Sequence, residues 1–341
     1  MSSADNRSAS SKPLTVLFSF GPSAPDANPY VDLLAESVAE SVKVEFFSWR
    51  KALFGSYDIF HIHWPEALVR RKTVMRSTIS QALVVLLICK LAIFRIPIVR
   101  TEHNLHPHEK GSAAEGRILN LLDARTDSWI IMNRASPRRS LPKTSLILHG
   151  HYRDRYTNDL KVTQVPGQLL NFGIIRPYKG VEELVSAFTA IPPDCGTSLV
   201  VMGKPITPEI GLELTKIAGN ASNISLDLRH VPDNELSRAI IQSELVVLPY
   251  QAMHNSGVLL LALSLGTPVF VPKNRITDDL AEEVGEQWVQ RFSGKLSPEE
   301  IIAAREAVHA IQGTPNLEAR GWESLGRQHF EAYKRAAKMS S

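Results

Sequence analysis

Short apolar runs rich in Val, Ile, Leu and Phe alternate along this chain with longer stretches of helical periodicity, and that alternation is the pattern of parallel βαβ units. A strand buried on both faces reads as a nearly continuous apolar run, and consecutive parallel strands need a crossover between them, here helical. In the first half the runs predict strands at residues 14–20, 42–47, 59–62, 96–100, 128–132 and 145–148. The second half repeats the pattern at 168–173, 198–203, 224–228, 245–248 and 268–271, with helices expected at 181–189 and 236–242 among others. The polar segment 157–167 lies near the midpoint and lacks apolar periodicity, so it is the expected linker. A chain of 341 residues is too long for one comfortable α/β core. The expected division is one unit over 13–156, a second over 168–316, and a closing segment 317–341 whose amphipathic helix, 318–338, follows a finished second sheet and packs back on the first unit.

Composition narrows the classes. A hydrophobic share of 44% and a charged share of 21% belong to a globular chain able to bury a core. The Ser-rich residues 1–12 lack an apolar core and are not expected to act as a secretory leader. Two cysteines, Cys89 and Cys195, lie far apart, which argues against a disulfide framework or a cysteine metal site and fits a reducing cytoplasm. The net charge of +3 is small, and no nucleic-acid partner is expected. The basic residues cluster, however: Arg70, Arg71, Lys72 and Arg76 precede the apolar run 81–94, which is interrupted by Lys90 and followed by Arg95. That run is shorter than the ~20 apolar residues of a membrane span. It reads either as a helix lying on an anionic membrane surface or as a buried helix flanking the first sheet.

Ligands of doubly wound sheets bind beyond the carboxyl ends of strands, so polar residues after each apolar run are the candidates. The sharpest are in 173–180, where a turn after a strand carries Gly173, Arg176 and Lys179 and leads into the helix from residue 181. Free amides and the macrodipole of a helix N-terminus add to such cations, making a diphosphate site, although the same residues also fit a solvated basic turn. Asn255, Ser256 and Gly257 open a helix over 258–265; they suit a sugar or distal phosphate, or simple N-capping. Histidines crowd the first half: His61 and His63 at one strand end, His103, His106 and His108 after another. A transition-metal site and a plain core role for His61 are the alternatives to a substrate-binding role. The general-base candidates for a group transfer are Glu66, Glu102, Glu109 and Asp26; Glu66 is favoured because Trp64 and Pro65 would fix and partly desolvate it.

The pattern G-x-x-R-x-x-K-G before an apolar-periodic helix resembles the donor-phosphate motif of GT-B glycosyltransferases. Residues 248–251, 255–257 and 261–269 are similar to that family's sugar-contacting loop, helix and closing strand, and the likeness spans nearly the whole chain. The resemblance implies two Rossmann-like domains facing across a cleft that binds a nucleotide diphosphate sugar. The implied donor residues are Arg176, Lys179, Gly173, Gly203, Lys204, His230, Tyr250, Asn255, Ser256 and Gly257. Where many retaining members carry two glutamates eight positions apart, this sequence has Met253 and Leu261, and neither holds a ribose by an anionic hydrogen bond. Residues 61–66 and 101–109 instead resemble bacterial β-mannosyltransferases that extend lipid-linked exopolysaccharide units. This implies inverting transfer of mannose from GDP-mannose to a polyprenyl-diphosphate-linked saccharide, without a metal, at the inner face of the cell membrane. It also places His103 among the catalytic residues and His63, Trp64, Asn104 and His106 on the acceptor side. A retaining enzyme lacking the glutamate pair and a catalytically silent scaffold with a protein partner are the remaining readings.

Overall fold

The computed structural model describes residues 13–21, 29–104, 111–156, 162–250 and 254–338. The first half runs β1 (Thr15–Phe18), α1 (Tyr30–Val38), β2 (Lys43–Glu45), α2 (Trp49–Phe54), β3 (Ile59–Ile62), α3 (Glu66–Val69), α4 (Val74–Ile93), β4 (Ile98–Glu102), α5 (Ala113–Arg125), β5 (Ser128–Ile131), β6 (Thr144–Leu146) and α6 (Arg153–Tyr156). The second runs β7 (Gln168–Phe172), α7 (Val181–Thr189), β8 (Ser198–Met202), α8 (Pro208–Ala218), β9 (Ile224–Asp227), α9 (Asp233–Gln242), β10 (Leu245–Val247), α10 (Gly257–Ser264), β11 (Val269–Pro272), α11 (Arg275–Val284), β12 (Val289–Phe292), α12 (Pro298–Val308) and finally α13 (Trp322–Lys338).

These strands form two six-stranded parallel sheets, ordered β2-β1-β3-β4-β5-β6 and β12-β11-β10-β7-β8-β9. The strand order reverses direction between β1 and β3 in the first sheet and between β7 and β10 in the second. Those two switch points open the crevices where doubly wound folds bind ligands. Both faces of the central strands are covered, as the unbroken apolar runs require: β1, β3, β5 and β10 are buried along their whole length.

The expected strands are all present with ends shifted by one or two residues: most apolar runs continue past the last ladder pair into the following loop, whereas β4 and β11 begin and end later than their runs. Strand β12 escaped the reading because Val-Gln-Arg-Phe is an edge strand whose two middle side chains are only partly covered, so no apolar run marks it. The basic and apolar segment around residues 70–94 folds into a full twenty-residue helix, α4, starting at residue 74 rather than 81 and capped by the Thr73 side chain. Lys90, the polar interruption, turns inward: its ammonium donates to the Ala52 and Gly55 carbonyls at 2.9 and 2.7 Å, capping the end of α2.

After a short 3-10 turn at Glu318–Arg320, α13 lies against α1 and reaches β3 and β4. Arg320 spans the junction, with a bidentate pair to Glu283 at 2.7 and 2.8 Å and a bond to the His149 carbonyl at 3.0 Å. The Trp322 indole N–H donates to the His151 carbonyl at 2.7 Å. Gly326 is the point of closest approach, since a Cβ there would stand 2.2 Å from the Ser37 carbonyl oxygen of α1. Helix propensity alone favours Ala over Gly by ~1 kcal/mol. Overpacking against a backbone atom reverses the sign, and Gly326→Ala is expected to destabilise the fold by about 1–3 kcal/mol. Urea unfolding of the two proteins checks this, and a stabilised variant would contradict the packing.

Candidate active site

In the second half, β7 and β8 end backbone to backbone. A Cβ on Gly203 would meet the Gly173 carbonyl oxygen at 2.1 Å, and Gly173 itself has φ +96°. Only glycine permits both the approach and the left-handed backbone. The turn that follows brings Lys179 back underneath. The residue is only 7% exposed, and its ammonium would stand 3.3 Å from a Cβ at Gly173 and is 5.1 Å from the centre of the Tyr250 ring. Desolvation, with the nearby Arg176 charge, lowers its pKa to about 8. Among the described residues no carboxylate pairs with it. Tyr250 is buried, and its hydroxyl has no hydrogen-bond partner among the described residues. Arg176 is partly buried beside this pair, whereas Lys204 and His230 are exposed at the ends of β8 and β9.

The start of α10 faces the same crevice. The Ser256 hydroxyl is the helix cap, accepting from the Leu259 N–H at 3.2 Å. Gly257 leaves room for Tyr152, whose hydroxyl would be 2.9 Å from a Cβ there. Asn255 turns away from the second half: its amide nitrogen donates to the His103 carbonyl at 2.9 Å.

In the first half the switch point is held by Ser19, whose hydroxyl donates to the His63 carbonyl (2.9 Å) and accepts from the His63 N–H (2.8 Å). The histidines around it form a buried chain. His103 Nε2 and His63 Nδ1 are 2.8 Å apart, His63 Nε2 lies 3.4 Å from His61 Nδ1, and His61 is bonded to Tyr333 and Thr101 at 2.8 Å each. The Trp64 ring stacks on His103 with centres 3.9 Å apart, and Trp64 adopts φ +43° to do so. A non-glycine residue in that region is strained and is held only by its surroundings.

Burial, reinforced by neighbouring histidines, pushes His61 and His103 well below the ordinary imidazole pKa and His63 to about 3. His149 and His329, also buried, fall to about 4. These rings are therefore neutral at pH 7, able to donate one hydrogen bond and accept another, and poor at holding a proton. Among the described residues no group of three or more His, Cys, Asp or Glu is arranged to hold a metal ion.

Beside His103 opens a cavity of about 530 Å³, walled by Trp64, Glu66, Glu102, Asn104, Glu115 and Asp123 among others. Three of its four carboxylates are taken. Glu102, the last residue of β4, pairs with Arg138 at 2.6 Å and accepts from Ser136; Glu115 pairs with Arg70 at 2.6 Å; Asp123 pairs with Arg100 and Arg138. Glu66, at the start of α3, is partly exposed and has no ion pair among the described residues. Asp26, His106, His108, Glu109 and Met253 lie outside the described residues.

Arg100, Asn133, Arg138, His149 and His254 went unnoticed in the sequence. Asn133 and His149 directly follow the apolar runs of β5 and β6, so the strand-end rule would have found them. The arginines carry no local signal, because their partners lie 15 to 36 residues away along the chain.

No protein-family model matches the chain. Two proteins of Xanthomonas campestris pv. campestris, each named GDP-mannose:glycolipid 4-beta-D-mannosyltransferase, are 40% identical to it over 332 residues, covering 97% of this chain and 95% of theirs. Among solved structures, the HepE protein of Anabaena in complex with UDP-glucose matches with a TM-score of 0.62 and 17% identity, over 96% of this chain and 99% of that one. AviGT4, a glycosyltransferase involved in avilamycin A biosynthesis, matches at 0.60 and 17%, over 96% and 99%. WaaG, a glycosyltransferase of lipopolysaccharide biosynthesis, matches at 0.58 and 14%, over 96% and 100%. These distant likenesses establish the GT-B fold.

The buried imidazoles make stability depend on pH with a defined sign. Their folded pKa values lie below the ~6.5 of an unfolded histidine, so the unfolded state binds more protons once pH drops below about 6.5. The stabilisation is complete above pH 6.5 and is lost as pH falls toward 4 for His149 and His329 and toward 3 for His63. Each group contributes a slope of ~1.4 kcal/mol per pH unit within its window. Unfolding free energies measured between pH 7.5 and 5 are expected to fall accordingly, and His329→Leu should make the decline shallower by about one group's share. An equally steep decline in the variant would contradict a neutral buried His329.

Proposed function

We propose a function from one premise: the chain belongs to the family of the GDP-mannose:glycolipid 4-beta-D-mannosyltransferases, and it is a glycosyltransferase of the GT-B fold. It takes GDP-mannose as donor and a polyprenyl-diphosphate-linked saccharide as acceptor in exopolysaccharide assembly, transferring the sugar with inversion and without a metal ion. Residues 13–156 serve the acceptor, residues 168–316 the nucleotide sugar, and 317–341 close the second unit onto the first. The observation that carries this reading is Lys179, a buried ammonium without a carboxylate partner among the described residues, at the switch point of the second sheet. Burying an unpaired cation is costly, and a diphosphate supplies the missing charge while raising the lysine pKa back toward its ordinary value.

In this reading Arg176, Lys179, Tyr250 and the free amides at the start of α10 hold the diphosphate, with Gly173 and Gly203 clearing its approach and Lys204 and His230 toward the nucleoside. The acceptor sugar occupies the cavity beside Trp64 and Asn104. Glu66 accepts the proton of the attacking hydroxyl, the new glycosidic bond forms at the anomeric carbon, and GDP leaves on the opposite side with its growing charge met by Arg176 and Lys179. Neutral His103, its tautomer set by His63, hydrogen-bonds a sugar hydroxyl and does not act as the base.

The outer face of α4 supports peripheral attachment to an anionic membrane. Met75, Ile79, Ala82, Leu86, Cys89 and Ile93 recur at helical spacing and are all exposed, and Arg71, Lys72 and Arg76 are exposed at one end. The opposite face packs inward through Val84, Leu87, Ile88 and Leu91. The helix is long and apolar enough to cross a bilayer, but it also packs with α2, α3 and α5, so it is read as lying in the interface plane.

Two experiments test this. Lys179→Met is expected to weaken GDP binding and to reduce transfer by on the order of 10²-fold or more, whereas Glu66→Gln should cut transfer by about 10²–10⁴-fold with GDP affinity unchanged. Isothermal titration with GDP and a radiolabelled transfer assay measure both; wild-type transfer in Lys179→Met would remove the main support. Liposome co-sedimentation should require anionic lipid and weaken with salt. Replacement of Leu86 and Ile93 by Ser should abolish it, and undiminished binding would remove the role of α4.

A further inference from the structure

We propose that Asn255 is a positioning residue, a latch between the two halves that sets His103 and the cavity wall against the start of α10, and that it does not bind the donor. The inference rests on the reading of the halves as acceptor and donor sides. Every polar atom of its side chain is already engaged with protein. The amide nitrogen donates to the main-chain oxygens of His103 at 2.9 Å and Glu102 at 3.3 Å, and the amide oxygen accepts from Asn133 Nδ2 at 3.0 Å.

The partners determine which way each amide faces. Carbonyl oxygens only accept, so the Asn255 nitrogen must point at residues 102 and 103 and its oxygen at Asn133. The Asn133 oxygen is taken by the Ala135 N–H at 2.9 Å, which turns its nitrogen toward Asn255 and toward His254 Nε2 at 3.2 Å. His254 then accepts at Nε2 and is neutral, in keeping with a pKa lowered by burial against the opposing pull of Glu102. The ends of β4 and β5 thus grip one residue directly before the Ser256 cap of α10.

The grip matters because of what each side carries. Lys179 and the α10 amides belong to the second half, while the Glu102 and His103 carbonyls belong to the wall of the 530 Å³ cavity. Asn255 fixes the distance between them through main-chain atoms, independently of either residue's side chain. A misplacement of about 1 Å between reacting groups costs about 10²-fold in rate.

The test uses the full chain with Asn255→Ala, Asn255→Asp, Asn133→Ala and the double alanine variant, each checked for folding by circular dichroism. GDP is the binding probe. Asn255→Ala is expected to lower kcat by about 10- to 100-fold with GDP affinity within about twofold of wild type. Asn255→Asp keeps the shape but sets a carboxylate oxygen against two carbonyls, so it should be no better than Ala. The double variant should be no worse than Asn255→Ala alone, because both changes break one network. Hydrogen exchange over residues 98–104 and 254–264 should rise in Asn255→Ala with or without GDP. Wild-type kcat in Asn255→Ala, GDP affinity falling in step with kcat, an active Asn255→Asp, or unchanged exchange would each overturn the latch. Failure of the wild-type protein to bind GDP would instead overturn the donor reading, leaving the exchange result to judge the latch.

Discussion

In a parallel sheet every strand delivers the chain to the same rim, and this one constraint organises the molecule. Twelve parallel strands in two sheets send their polar loops to two rims, and at each switch point neighbouring crossovers diverge and leave a crevice. The Gly173 turn, the start of α10, the His63–Trp64 corner and the end of β4 all lie at such strand ends. The chain then returns through α13, so that Tyr333 supports His61 from beneath the first sheet while Arg320 and Trp322 tie the junction. The relative placement of the two rims therefore rests on these contacts between the halves.

Desolvation acts with opposite results on the two sides of the cleft. A buried neutral imidazole loses little, because each ring offers one donor and one acceptor and neighbouring rings satisfy one another; His61, His63 and His103 form such a chain with Thr101 and Tyr333. A buried ammonium has donors only, so Lys179 among Gly173, Arg176 and Tyr250 finds no comparable internal solution among the described residues. The first side thus offers hydrogen bonds without net charge, and the second a buried positive charge. That asymmetry is what the proposed reaction calls for, in which a neutral hydroxyl attacks and a diphosphate departs.

Helix α4 shows how one element can serve two environments. Its inner face closes the apolar layer under β1, β3 and β4, and Lys90 spends its charge on the carbonyls that end α2. Its outer face is apolar as well, and nothing among the described residues covers it. A helix apolar on both sides has no strong amphipathic signal, so periodicity alone did not distinguish a core helix from a surface one.

Local sequence determined eleven of the twelve strands, their parallel arrangement, the glycine turn with Arg176 and Lys179, and the polar residues crowded after each strand, because backbone sterics and burial on both faces act over a few residues. It also carried the likeness to GT-B enzymes through short motifs of the same range. Tertiary structure alone decided which carboxylates are free. Sequence favoured Glu66 for its neighbours Trp64 and Pro65 but could not show that Glu102 is taken: Arg138, 36 residues beyond Glu102, pairs with it and leaves Glu66 without an ion pair among the described residues. Tertiary structure likewise decided that Asn255 reaches across the cleft, with partners 122 to 153 residues away, and that Lys179 is buried without a counter-ion among the described residues. Ion pairing, desolvation and domain contact depend on which distant segments share a small volume, and that is a property of the packed chain that no local stretch of it contains.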